Sequence, residues 1–190
     1  MINEPWYYRK NVIRNINKFV NDKGDSGIWI DVDGVILRSC QGICDMLGKG
    51  KGEDVVSWNF KEICPNLSNK DVEDLFADPL FFQHVQFMDG VIDFIKKYSN
   101  RIAIITKGTK ENLKNKKIFF KQYNINVPFI GLTLEESKSK INMTNDIFID
   151  DCTQNLIESN AKYKIMFKEY DDDKEREWQK DWNGYVMYNW

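Results

Sequence analysis

The sequence is short of the groups that bind soft metals or shuttle protons near neutral pH. It holds one histidine, His84, and four cysteines, Cys40, Cys44, Cys64 and Cys152. The cysteines have neither zinc-ligand spacing nor a redox C-x-x-C, which excludes a zinc-knuckle or dithiol reading and leaves reduced structural thiols. No apolar run approaches the ~20 residues needed to cross a bilayer. The N-terminal "MINEPWYYRKNVIRNINKF" lacks the apolar centre of a signal peptide. A formal charge of −2 offers no basic surface for a nucleic-acid polymer or a membrane. A cytoplasmic protein is the expectation.

What remains is ordinary in bulk and distinctive in detail. At 190 residues, with 42% hydrophobic and 29% charged residues, the chain suits one domain with room for a small subdomain. Six tryptophans are more than a core of this size needs, so some rings are available to line a pocket.

Residues 9–22 carry Val12, Ile13, Ile16, Phe19 and Val20 as a helical stripe, with Arg9, Lys10, Arg14 and Lys18 on other faces. "NDKGDSG" ends that helix before a buried strand at 28–31. Residues 36–87 read as helical pieces and loops. Ser68 with Asp71 three residues on marks a helix start, and Pro79 ends that helix. From Asp89 the pattern alternates. Helix "DGVIDFIKKY", strand "RIAIIT", helix "KENLKNKKIFFKQY", strand "VPFIGL", strand "DIFID", helix "CTQNLIESN" and strand "YKIMF" follow one another. Apolar strands alternating with helices predict a doubly wound, Rossmann-like parallel α/β sheet. The core is then 1–35 with 88–190, and 36–87 is a small helical cap inserted after the first strand. The Trp-rich C-terminus is expected to add an edge strand.

In such a sheet the ligand site lies at the carboxyl ends of the strands. The first strand delivers Asp31 and Asp33, with Gly34 to let the chain turn. The strand "IAII" ends in Thr106, followed by Lys107 and Gly108, and "IFI" ends in Asp150 and Asp151. Lys138 and Lys140 lie between the last two. Carboxylates converging without histidine or thiolate favour a hard cation with oxygen ligands, Mg²⁺ above all. An aspartate can attack phosphorus, and a hydroxyl, a lysine and a metal neutralise the transferred group. Residues two apart on an extended chain share a side, so Asp31 can attack while Asp33 handles protons and Val32 faces away. Each group alone has a plainer reading, such as a turn, a helix N-terminus or a solvated lysine. Together, in this order at strand ends, they describe a site. His84 reads as a packed or surface residue.

With these residues assembled, the chain resembles the haloacid dehalogenase-like phosphohydrolases over residues 27–168. "DVDGV" matches their first motif, Thr106 the second, a lysine the third, and Asp150-Asp151 the fourth. The resemblance implies Asp31 as nucleophile and Mg²⁺ ligand, and Asp33 as acid/base and ligand through its carbonyl. It implies Thr106, Lys107 and Gly108 for the phosphate, and Asp150 or Asp151 for the metal. For the third motif Lys140 is preferred, since its ten-residue lead to Asp150 is similar to the spacing in the 5′(3′)-deoxyribonucleotidase branch; Lys138 is the alternative. "DPLFFQHVQFMDGVIDFIKKY" is similar to the cap exit of that branch, where cap aromatics hold the base. Trp58, Phe60, Phe81 and Phe82 are the corresponding candidates. That branch usually continues its second motif with a small residue and proline, where this chain has Lys107-Gly108-Thr109.

The expected activity is a Mg²⁺-dependent phosphatase, with a deoxyribonucleoside monophosphate as substrate, or else a sugar phosphate or other small metabolite. A homodimer is the assembly entertained. A phosphorylated signalling domain fits less well, because receivers place the acidic pair early and the phosphorylated Asp in mid-chain. A non-catalytic scaffold would have no use for Asp33.

Overall fold

Short β-rich runs bounded by turns become a parallel sheet. The protein is described here by a computed structural model covering residues 11–190. In chain order its elements are α1 (Ile16–Asn21), β1 (Ile28–Ile30), α2 (Ser39–Leu47), α3 (Asn69–Ala77), α4 (Phe81–His84) and α5 (Val91–Lys97). Then follow β2 (Ile102–Lys107), α6 (Lys110–Gln122), β3 (Phe129–Leu132), β4 (Ile147–Asp150), α7 (Thr153–Glu158), β5 (Tyr163–Phe167) and β6 (Tyr185–Met187). All six strands pair parallel in the order β3-β2-β1-β4-β5-β6. The α/β class is thus as expected.

The two-residue period of a strand divides the core. Ile28, Ile30, Ile147 and Ile149 pack on one face with Ile102, Ile104 and Phe167. Phe148, Ile105 and Met166 pack on the other with Leu132, Met143 and Leu156. β4 is buried along its whole length, as a central parallel strand must be. Because β1 lies between β2 and β4, the strand order changes direction at its end, and a crevice opens above the carboxyl ends there.

The N-terminal helix is shorter than expected. Only Ile16–Asn21 is helical, with the Asn15 side chain capping it. Val12 instead bridges to Val186, and Ile13 N–H donates to the Val186 carbonyl at 2.8 Å. An exposed sheet edge offers unpaired backbone groups, and pairing with β6 satisfies them where a further helical turn would not. Residues 9 and 10 of that stripe, and the first ten residues of the N-terminal segment, lie outside the described residues. β6 is the expected edge strand. Trp190 follows it onto the core, stacking on Phe167 and donating its indole N–H to the Val35 carbonyl at 3.1 Å.

The stretch between β1 and α5 is helical. Ser68 and Asp71 form the expected reciprocal capping box at the start of α3. The far end of α3 is fastened to the core: Asn112 and Asn115 of α6 donate to the carbonyls of Phe76 and Ala77 at 2.6 and 2.9 Å. These are terminal helix carbonyls that would otherwise lack partners. All four cysteines are free, and His84 is exposed. Among the described residues no helix is long and apolar enough to cross a membrane.

Candidate active site

Asp31 is the first residue beyond β1, anchored by its N–H to the Ile149 carbonyl at 3.0 Å and only 7% exposed. Val32 turns into the core. Gly34 then takes a φ of +68°, and a Cβ there would come within 2.3 Å of Asp151 Oδ2. A glycine is required both for the turn and for that approach. Asp33 accepts from the Ser39 hydroxyl at 3.0 Å and from Lys116 Nζ at 2.5 Å. Lys116, wholly buried on α6, also donates to Thr106 Oγ1 at 2.8 Å. Thr106 on β2 is itself buried, and Lys107 and Gly108 beyond it line the same cleft.

On the other side, Asp150 closes β4 with no exposure. Its carboxylate accepts from Lys138 Nζ at 2.6 Å, from the Cys152 N–H at 2.8 Å and from Asn155 at 3.2 Å. Lys138 Nζ also lies 2.7 Å from Asp31 Oδ1, an ion pair in which that oxygen has no hydrogen bond of good geometry. The lysine at the aspartates is therefore Lys138, which corrects the preference for Lys140. Lys140 is 60% exposed and pairs with Glu136 at 3.2 Å. Both belong to the 3₁₀ turn Lys138–Lys140, where about three residues make a turn, so positions two apart point in different directions.

Burial acts against the charges here, and the charges answer unevenly. The Asp150 carboxyl is raised to about 6, the net of burial pushing it up, Lys138 pulling it down and Asp31 pushing it up. Asp151 is raised well above the usual carboxylate range, first by burial and then by Asp150 and Asp31. Burial lowers the Lys138 ammonium, but Asp150 and Asp31 more than reverse this and its pKa ends above normal. One lysine thus faces three carboxylates, leaving a surplus of negative charge. Oxygens of Asp31, Asp150 and Asp151 lie within 4.8 Å of one another. An all-oxygen donor set with surplus charge and an Asp31 oxygen lacking a hydrogen bond fits a hard divalent cation.

The cleft above holds about 500 Å³, within the range of small-molecule sites. Trp58 and Phe60 line it, Phe60 with a φ of +55°. Phe81 and Phe82 do not. Phe81 is wholly buried between Phe76 and Phe82, and Phe82 packs on Phe119 of α6, so both belong to the joint between insertion and core. Phe76 and Trp178 line the cleft in their place. Sequence reasoning also missed Lys116 and Ser39. A signal for Lys116 existed: Asn112, Lys116, Phe119 and Phe120 form the buried stripe of α6, and a lysine on such a stripe demands a buried partner.

Residues 25–185 match the family described as 5′ nucleotidase, deoxy (pyrimidine), cytosolic type C protein (NT5C). A search of curated proteins returns no match. Among solved structures, a hydrolase from Pseudomonas syringae is 11% identical, with 86% of this chain and 93% of that chain covered at a TM-score of 0.52. A haloacid dehalogenase-like family hydrolase from Streptococcus pneumoniae is 13% identical, covering 85% and 93% at 0.46. A haloacid dehalogenase superfamily hydrolase, subfamily IA, from Geobacter sulfurreducens is 10% identical, covering 85% and 90% at 0.49. The Pseudomonas syringae structure shares the fold; at these identities the likeness extends no further.

Proposed function

The chain belongs to the 5′ nucleotidase, deoxy (pyrimidine), cytosolic type C protein family, and we propose that it is a Mg²⁺-dependent phosphomonoesterase acting on deoxyribonucleoside monophosphates. One observation carries this reading: Asp31 stands at the sheet's switch point with Thr106 on one side and Lys138, Asp150 and Asp151 on the other. The family description supports the nucleotide, and it supports a cytoplasmic location.

In the proposed reaction a carboxylate oxygen of Asp31 attacks phosphorus and the bond to the ester oxygen breaks. Asp33 gives its proton to the leaving alkoxide. A water then attacks the aspartyl phosphate, Asp33 takes up its proton, and inorganic phosphate leaves with Asp31 restored. Thr106 and the backbone at Lys107 and Gly108 would hold the phosphoryl oxygens, and Lys138 would keep Asp31 aimed. Lys116 and Ser39 fix the Asp33 carboxylate between them. Asp31, Asp150 and Asp151, with the carbonyl of Asp33, would hold Mg²⁺. When bound, the cation would neutralise charge on the phosphoryl group and on the surrounding carboxylates. Residues 36–87 would act as the cap over the core.

Phosphate release from deoxyribonucleotides, ribonucleotides and sugar phosphates, with Mg²⁺ and with chelator, tests the reading. Metal-dependent turnover favouring deoxyribonucleotides is expected. Turnover favouring sugar phosphates would keep the chemistry and discard the nucleotide, and release from none of them would discard both.

A further inference from the structure

The cleft has a wall that neither the sheet nor the insertion supplies. After β5 the chain runs through Asp172 to Trp178 and crosses the insertion at residues 53–58 before returning as β6. Five polar contacts fix that crossing. Lys174 Nζ donates to the Glu53 carbonyl and to Asp54 Oδ1, both at 2.8 Å. Arg176, itself 3% exposed and held at both terminal nitrogens by Asp172 at 2.9 Å, donates to the same Glu53 carbonyl at 3.2 Å. The Glu177 N–H donates to the Val56 carbonyl at 2.9 Å, and the Glu177 carboxylate accepts from the Trp58 N–H at 2.9 Å.

The product of this clasp is the placement of two indoles. Trp58 stays 51% exposed, and Trp178 meets it edge-on with ring centroids 6.0 Å apart at 75°. Both line the cleft that holds Asp31 and Thr106. Rings held at a cleft by backbone and ion-pair contacts lose little freedom when a flat ligand packs on them. The neighbouring charges narrow what that ligand carries. Lys107 follows Thr106 at the phosphate end, whereas Glu73 and Glu177 line the cleft as carboxylates, which suits a neutral ring and disfavours a second anionic group.

We propose that the segment Asp172–Trp178 is part of the substrate site and that Trp178 is a specificity-determining residue. With Trp58 it packs against the planar ring of the leaving alcohol, so selection of ring-bearing phosphomonoesters is divided between the insertion and the C-terminal segment. The assignment rests on the phosphomonoesterase reading above. The test compares kcat/KM for deoxyuridine 5′-monophosphate with that for 2-deoxyribose 5-phosphate, the same phosphoester without the planar base ring. In Trp178→Ala the ratio of the two should fall roughly tenfold, the size of one aromatic stacking contact. Trp178→Phe should restore most of it. An equal loss on both substrates would make Trp178 a merely structural wall and overturn the proposal, as would an unchanged ratio.

A binding measurement separates this from failure of the reaction itself. Deoxyuridine, which has the ring and no phosphate, is titrated by calorimetry into Asp31→Asn and into Asp31→Asn/Trp178→Ala. If the wild type releases phosphate from neither ester, the phosphomonoesterase reading falls. Roughly tenfold weaker nucleoside binding in the double variant then still supports Trp178; equal binding, or binding to neither protein, overturns it.

Discussion

The floor and the wall of the cleft are built on opposite principles. On the floor, Asp31, Asp150, Lys116 and Lys138 are almost inaccessible and locked into ion pairs of 2.5 to 2.7 Å. On the wall, Trp58 is half exposed and touches Trp178 by an edge. A buried charge needs a fixed partner because little solvent replaces one that is lost. A ring at a cleft works through area, which shrinks by degrees. The floor should therefore respond to substitution as a unit and the wall in proportion, as expected if the floor performs the proposed reaction and the wall selects.

The floor gives the largest predicted effect. Asp31→Asn should lower turnover by more than about 10³-fold, since an amide cannot attack phosphorus. The circular dichroism spectrum should stay native, because Asn keeps the shape and the backbone anchor to Ile149. Substantial residual turnover would remove Asp31 from the nucleophile's role.

Next in size are the two lysines. Lys138→Met leaves Asp31 and Asp150 buried with no cation between them, at a cost of about 3–5 kcal/mol in a denaturant melt without Mg²⁺ and with loss of turnover. Lys140→Met removes an exposed lysine with one partner four residues away and should change stability by about 0.5 kcal/mol or less. The reverse ranking would return the third-motif lysine to position 140.

That pair also marks where the sequence stops being readable. Asp31, Asp33, Asp150 and Asp151 were legible because each sits within three residues of the end of an apolar β-rich run, so strand and carboxylate appear in one stretch of chain. Thr106 was legible for the same reason. Lys138 was not, because spacing to Asp150 says nothing of the phase of the turn that carries it. Lys116 lay hidden in a helix with lysines at 110, 114, 117 and 121. Phe76 and Trp178 come from α3 and from the segment before β6, and a cleft assembled from distant pieces leaves no local pattern. Adjacent Phe81 and Phe82 announced burial without saying on which side of the insertion.

The buried joint of α4 with α6 and the half-exposed wall of the cleft should respond differently. Phe81→Ala empties a fully buried site and should destabilise by about 3–5 kcal/mol. Trp58→Ala removes a half-exposed ring with one edge contact and should cost about 1 kcal/mol, while lowering preference for ring-bearing esters. Thermal melts of the two, with the same pair of esters used for Trp178, check this. Equal destabilisation would mean that Trp58 is core, and the contrast between floor and wall would collapse.

Glu169 tests whether the floor's logic holds for a buried charge outside it. Its side chain is 6% exposed, yet its ion-pair contact, with Arg38, is a long 3.5 Å, and Arg38 is shared with Asp89. Burial pushes its carboxyl up to about 7, with the Tyr170 hydroxyl and Arg38 offsetting only part. Between the ordinary glutamate value and about 7, the folded protein keeps a proton that the unfolded chain has released. Stability therefore falls as pH climbs through that window, and the loss is complete above it. Glu169→Gln carries no charge at any pH and can still accept from Arg38. It should melt a few degrees above the parent at pH 8, and the gap should close toward pH 5. A gap that does not change with pH would mean that Glu169 is adequately paired as a carboxylate, and that one long contact to a shared arginine suffices where the floor uses two short ones.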